Sequence, residues 1–185
     1  ARGALADAIA ATQQGGAAAL LLPVNVQLMA MDTATAGPPS VAKRSASPAA
    51  PRQEAIDSAF AVVRQARKPL IVAGLGAHRA GAKQALEQLA DRIGALLVTS
   101  ARGKDLFRGH PCNLGIVGSF SHSAARRMIA EADCVLAFGA GLNLLTMSFG
   151  HSLPKVPLIQ VDTNRAHIGR WHPADVAVVG DARLA

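Results

Sequence analysis

The apolar positions of this chain change period along its length. Ala4, Leu5, Ala8 and Ile9 recur at helical spacing until Gly15-Gly16 interrupts them, which predicts an opening helix. The run Ala17-Ala18-Ala19-Leu20-Leu21-Leu22, closed by Pro23, reads instead as a short buried strand. Residues 1–32 are read as the closing helix and strand of a preceding domain. Residues 33–52 shift to Ala, Ser, Thr, Pro and Gly, the composition of an exposed linker. From Gln53 onward helix and strand periods take turns. Helices are expected over 53–66, 80–93 and 121–131, the second with a stripe of Ala82, Ala85, Leu86, Leu89, Ala90 and Ile93. Strands are expected at 69–74, 95–99, 133–138, 158–162 and 176–179, with a glycine-rich loop after the second. Continuous Val/Ile/Leu runs mark strands buried on both faces, as in a parallel sheet between helical layers. The fold class is therefore α/β, doubly wound.

Composition narrows the function classes. The chain has 185 residues, half of them apolar, and a net charge of +7. A chain of this length buries enough surface to fold without disulfides or metals, so Cys112 and Cys134 read as unpaired thiols. No apolar run reaches the ~20 residues of a membrane span, and no secretory signal pattern opens the chain. A cytoplasmic protein with no membrane partner is the expectation. Aromatic residues make up 3 % with no Tyr, which argues against base-stacking surfaces and a nucleic-acid partner. The positive charge is dispersed and reads first as a mildly basic surface of ordinary solvated side chains; in the alternative reading some of it surrounds a site for an anionic ligand, with Arg102, Lys104, Arg108 and Arg165 the candidates.

Ligands of an open parallel sheet bind outside the carboxyl ends of its strands. Here those ends read Gly74-Leu75-Gly76-Ala77, Thr99-Ser100-Ala101-Arg102-Gly103-Lys104, Gly139-Ala140-Gly141-Leu142-Asn143, Asp162-Thr163-Asn164 and Gly180-Asp181-Ala182. Glycines let a ligand approach the backbone, helix starts offer amides to a phosphate, and the aspartates offer acceptors to ribose or adenine. The outline is that of a nucleotide crevice. The same residues also serve tight strand-to-helix turns and, for Asp162 and Asp181, caps of the following turn. A conventional NAD fingerprint is disfavoured, because Arg79 replaces the third glycine and no acid follows the second strand. The six histidines, His78, His110, His122, His151, His167 and His172, show no metal-ligand spacing, and neither Cys belongs to a CxxC. Ser119-Phe120-Ser121-His122-Ser123 lacks a nucleophile elbow, so Ser119 or Ser121 is read as a helix-entry residue. Cys134 is assigned to the core and Trp171 to a loop cap.

The ordered series Lys68-Pro69-Leu70-Ile71-Val72-Ala73-Gly74-Leu75-Gly76-Ala77, Gly103-Lys104 to Phe107, His110-Pro111, Leu114-Gly115 to Gly118, Ala132-Asp133 to Phe138-Gly139, Ile159-Gln160-Val161-Asp162 to Ile168-Gly169, and Val179-Gly180-Asp181-Ala182 resembles the central domain of thiamine diphosphate-dependent enzymes. The relatives are the acetolactate synthase, pyruvate oxidase, benzoylformate decarboxylase and oxalyl-CoA decarboxylase group. The resemblance covers 53–185 and implies a mostly parallel, six-stranded Rossmann-like sheet of the DHS-like NAD/FAD-binding type. Residues 1–32 look like the end of that family's pyrimidine-binding domain.

The resemblance implies a parent enzyme that makes or breaks carbon-carbon bonds beside the carbonyl of a 2-oxo acid or acyl-CoA, as a homodimer or homotetramer. Thiamine diphosphate and Mg2+ would be held by the flanking pyrimidine- and diphosphate-binding domains, whose glutamate and Gly-Asp-Gly motif this sequence does not contain. No catalytic or metal-binding residue is assigned here. In the family the central domain holds FAD, holds ADP or serves as scaffold. Flavin-binding members carry an arginine where this chain has Gly141, and ADP-binding members hold adenosine at the positions of Asp162, Thr163, Asp181 and Ala182. The candidate cofactor residues are Gly74, Gly76, Ala77, Ser100, Gly103, Gly139, Gly141, Leu142, Asp162, Thr163, Asp181 and Ala182. Two competing readings remain: an autonomous ADP or FAD module, and an NAD-dependent deacylase on a similar sheet, against which the missing zinc cysteines argue.

Overall fold

The computed structural model describes residues 2–13, 17–30, 48–144, 147–148 and 151–185. The chain separates into two compact units, Ala1–Ser47 and Pro48–Ala185. In the first, α1 (Arg2–Gln13) meets the expectation for a helix. The strand expected at 17–22 is not there: the segment is unpaired, Leu21 stands 89 % exposed, and a four-residue helix, α2 (Val24–Gln27), follows Pro23. An apolar run becomes a strand only beside another strand, and no described strand lies in this unit. Most of the expected linker lies outside the described residues. Its last part belongs with the second unit, where the Asp181 amide donates to the Ala49 carbonyl at 2.8 Å.

The second unit is a single six-stranded sheet of parallel strands. In chain order it contains α3 (Gln53–Val63), β1 (Pro69–Ala73), α4 (Leu75–Arg79), α5 (Lys83–Ile93), β2 (Leu96–Thr99), β3 (Asn113–Ile116), α6 (Ser123–Ala130), β4 (Cys134–Phe138), β5 (Leu158–Asp162) and β6 (Val176–Val179). The spatial order is β3-β2-β1-β4-β5-β6, with every neighbouring pair parallel. The order reverses between β1 and β4. That reversal is the topological switch point, where an open α/β sheet forms its crevice.

Side chains of each strand alternate between two apolar clusters. Ile71, Leu97, Leu136 and Val161 face the layer built on α3, α4 and α5, together with Phe107. Leu70, Val72, Val98 and Val135 face α6, with Leu142 and Met147. Burying each such side chain contributes about 1.5–3 kcal/mol, so β1 and β4, buried at every position, anchor the unit. On α5 the predicted stripe is the buried one: Ala82, Leu86 and Ala90 are sealed in, and Gly94, at φ 66°, ends the helix in the left-handed conformation glycine tolerates.

β3 lies in the stretch expected to be loop. It is a half-buried edge strand with a register shift against β2 between Leu97 and Thr99, and Gly115 within it sits at φ 82°. Such a strand carries neither a continuous apolar run nor a clean alternation, so it leaves no periodic signal. Two aspartates fasten the opposite end of the sheet. Asp133 accepts from the amides of Arg67 and Lys68 at 2.8 and 2.9 Å and returns its own amide to the Lys68 carbonyl; Asp175 does the same with Leu158. No helix among the described residues is long and apolar enough to cross a membrane.

Candidate functional site

The site expected from the sequence is the crevice above the carboxyl ends of β1 and β4. Gly74 follows β1 and donates its amide to the Phe138 carbonyl at 2.9 Å; Gly76 donates to the Gly139 carbonyl at 3.0 Å. A β-carbon on Gly74 would lie 2.1 Å from that Gly139 oxygen, and one on Gly139 would lie 2.5 Å from the Ala77 nitrogen. Gly139 also adopts φ 53°. On the other side, a β-carbon on Gly103 would come within 2.9 Å of the Ala73 carbonyl oxygen. Three backbone segments thus meet closely at the strand ends, the first two because Ala73 and Phe138 are paired directly before them. The amide of Gly76, a candidate phosphate donor, is already committed.

Six of the candidate residues, Gly76, Gly139, Asp162, Thr163, Asp181 and Ala182, do converge on one depression. Its volume is about 40 Å³. That is far below the roughly 300–1,000 Å³ of a pocket for a small ligand. Asp162 Oδ1 accepts from the Asn164 amide at 2.8 Å and lies 3.3 Å from His167 Nδ1, while Asp181 Oδ1 accepts from the Arg183 amide at 2.9 Å. Each carboxylate therefore holds its own turn with the oxygen nearest the chain.

The remaining candidates lie apart from the depression. Ala77 and Leu142 are buried in the two apolar clusters, Leu142 at φ 46°. Ser100 is buried, its amide on the Ala73 carbonyl and its carbonyl receiving the Gly103 amide. Gly141 is exposed, with open space where a side chain would start. Of the four expected cations, Arg108 pairs with Asp105 at 3.2 Å and Arg165 donates to the Ile168 carbonyl at 3.4 Å; none of the four lines the depression.

Two structural side chains escaped the sequence reading. Gln160, buried in the middle of β5, donates to the carbonyls of Ala140 and His167 and accepts from the Gly169 amide at 2.9 Å, tying together the loops that follow β4 and β5. An amide interrupting Leu158-Ile159-Gln160-Val161 was its signal. His110 Nε2 lies 3.2 Å from Asp91 Oδ1 and its Nδ1 accepts from the Cys112 amide. Helix α6 starts at Ser123 with His122 before it, so neither Ser119 nor Ser121 caps it. The Cys134 thiol is pushed up to about 11, by burial first and by the charges of Asp133 and Asp175 after it, and is inert at neutral pH. Trp171 is partly exposed, with the Arg170 guanidinium 5.5 Å from its ring. No cluster of three or more metal-ligating side chains occurs among the described residues.

A doubly wound parallel sheet with β1 and β4 at its switch point defines a Rossmann-like α/β domain. Residues 56–185 match the family described as "Thiamine pyrophosphate enzyme, central domain", and the chain belongs to that family. It is 35 % identical over 136 residues to the sulfoacetaldehyde acetyltransferase of Roseovarius nubinhibens, covering 71 % of this chain and 23 % of that protein. It is 33 % identical over 138 residues to the acetolactate synthase of Arthrospira platensis, covering 72 % of this chain and 24 % of the relative. Among solved structures, a "putative thiamin diphosphate-dependent enzyme" of Mycobacterium smegmatis matches with a TM-score of 0.66 and 25 % identity, over 98 % of this chain and 35 % of the other. The chain spans about a quarter of the length of these curated relatives. The family's name implies thiamine diphosphate, and the described residues of this chain include no group of three or more potential ligands for a metal ion.

Proposed function

We propose that this chain is the central domain of a thiamine diphosphate-dependent enzyme that makes or breaks a carbon-carbon bond beside the carbonyl of a 2-oxo acid or acyl-CoA, and that it acts there as scaffold. In this reading residues 1–32 end a pyrimidine-binding domain, 33–52 link, and 53–185 form the central domain. A diphosphate-binding domain completes a cytoplasmic homodimer or homotetramer. The thiazolium, held with Mg2+ outside this chain, supplies the electron sink. The observation that supports the scaffold role is the small volume, about 40 Å³, of the depression on which six of the candidate residues converge.

A second reading keeps an adenosine site, because six candidate residues do line one depression. Its volume of about 40 Å³ argues against it, since pockets for small ligands measure roughly 300–1,000 Å³. Thermal melts with ADP, FAD, NAD or CoA separate the two. A ligand at about 100 times its Kd adds about 2.7 kcal/mol of stability. The scaffold reading expects an unchanged midpoint with all four, and a saturable rise with ADP or FAD overturns it. The chain alone is also expected to leave pyruvate untouched; turnover above buffer contradicts the assignment of chemistry to other domains.

A further inference from the structure

A cavity of about 310 Å³ lies on the α6 face of the sheet, away from the crevice residues. Its lining divides into two chemistries. The polar part consists of Arg126, His151, Ser121, Ser148 and Ser152, with no carboxylate among the residues that line it. The apolar part consists of Ile129, Leu153 and Pro154.

Two observations point to an anionic ligand with an apolar body. Arg126 uses its Nε on the Ser121 carbonyl at 3.0 Å, which orients the guanidinium, and it forms no ion pair with an acid among the described residues. Ser121 is 5 % exposed, and its hydroxyl is a buried polar atom without a hydrogen-bond partner. That oxygen is sealed from the cavity, so the Arg126 guanidinium is the polar group offered to a ligand. The volume suits a small molecule, and a guanidinium matches a carboxylate's two oxygens.

We propose that this cavity binds a short organic carboxylate, with the carboxylate on Arg126 and the aliphatic chain against Ile129, Leu153 and Pro154. The site is independent of the crevice and of the scaffold reading, so either can fail without the other.

The probes are 3-methylbutanoate, inorganic phosphate and chloride, titrated into the 185-residue chain and followed by backbone amide chemical shifts. Saturable changes at Gly118, Ser121, Ile129 and Ser152 with 3-methylbutanoate, and weaker binding of phosphate, are expected. Arg126→Gln should weaken 3-methylbutanoate roughly 10- to 100-fold, as the loss of a charge-assisted contact does. Because Arg126 also holds the Ser121 carbonyl, Ser121→Ala serves as a second variant that keeps that carbonyl and removes only a hydroxyl sealed from the cavity, and it is expected to leave binding unchanged. No saturable change with 3-methylbutanoate overturns the proposal. Equal affinity for phosphate overturns the apolar part, and unchanged binding in Arg126→Gln, or a loss in Ser121→Ala as large as in Arg126→Gln, overturns the assignment of the carboxylate to Arg126.

Discussion

Gly74 and Gly139 approach so closely that a β-carbon on the first would stand 2.1 Å from the carbonyl oxygen of the second. Real β-carbons do not come this near to backbone, so at Gly74→Ala one of the two loops above the sheet must move. Overpacking of this kind costs about 3 kcal/mol or more. Gly141, two residues beyond Gly139, has nothing within 4 Å of such a carbon, and Gly141→Ala should stay within about 0.5 kcal/mol of the wild type. Urea unfolding of the two variants checks the contrast. Equal midpoints would mean that the loops are free to part, and with them the crevice.

Gln160 makes a different demand on the same region. Its amide side chain satisfies the Ala140 and His167 carbonyls and the Gly169 amide from inside the sheet. Gln160→Leu keeps the volume but leaves those buried groups unpaired, at about 1–3 kcal/mol or more. Hydrogen exchange gives the local readout: the Gly169 amide should lose protection in the variant beyond what the fall in global stability accounts for.

How much of this was legible in the sequence follows from what each residue type reports. Leu70, Val72, Val135 and Ile159 announced their strands because both faces of the sheet are covered, which makes the run continuous. Asn113, Leu114, Gly115 and Ile116 did not, because an edge strand with a register shift needs neither run nor alternation. Ala17 to Leu22 announced a strand that is absent, since a partner strand cannot be read from the segment itself. At the crevice, the glycines and aspartates were found by their place after each strand. What they do was not. Gly74 and Gly139 lie 65 positions apart, and whether two glycines admit a ligand or each other depends on the distance between their backbones. That distance is a property of packing.

Asp133 makes stability depend on pH. Burial alone would raise its carboxyl, but the amides of Arg67, Lys68 and Asp133 itself, with the Arg67 charge, outweigh burial and hold it below the ordinary aspartate value of 3.8. A carboxyl depressed in the folded state favours folding above its unfolded value, and the contribution disappears as pH falls through the folded value. The contribution is therefore complete above about pH 5 and fades below 3.8. Solvent screens this partly exposed group, so Asp133→Asn should cost about 1 kcal/mol at neutral pH. The difference between wild type and variant should shrink on acidification, measured as urea midpoints at pH 7 and along a series toward pH 3. A difference that stays constant would assign the effect to shape instead of charge.

The two cysteines should differ in reactivity. Cys134 opens β4, fully buried, and burial pushes its thiol up to about 11, so at pH 8 about one molecule in a thousand carries the thiolate that attacks a disulfide reagent. Cys112 lies only partly buried, before β3. A colorimetric disulfide reagent should therefore titrate one thiol rapidly in the native chain and two in urea, and Cys112→Ser should abolish the fast phase. If Cys134 reacts at the Cys112 rate without denaturant, β4 opens to solvent on the time scale of the assay. The sheet would then lack the closed centre on which the Gly74 contact depends, because β1 and β4 are hydrogen-bonded neighbours from Pro69 and Cys134 to Ala73 and Phe138.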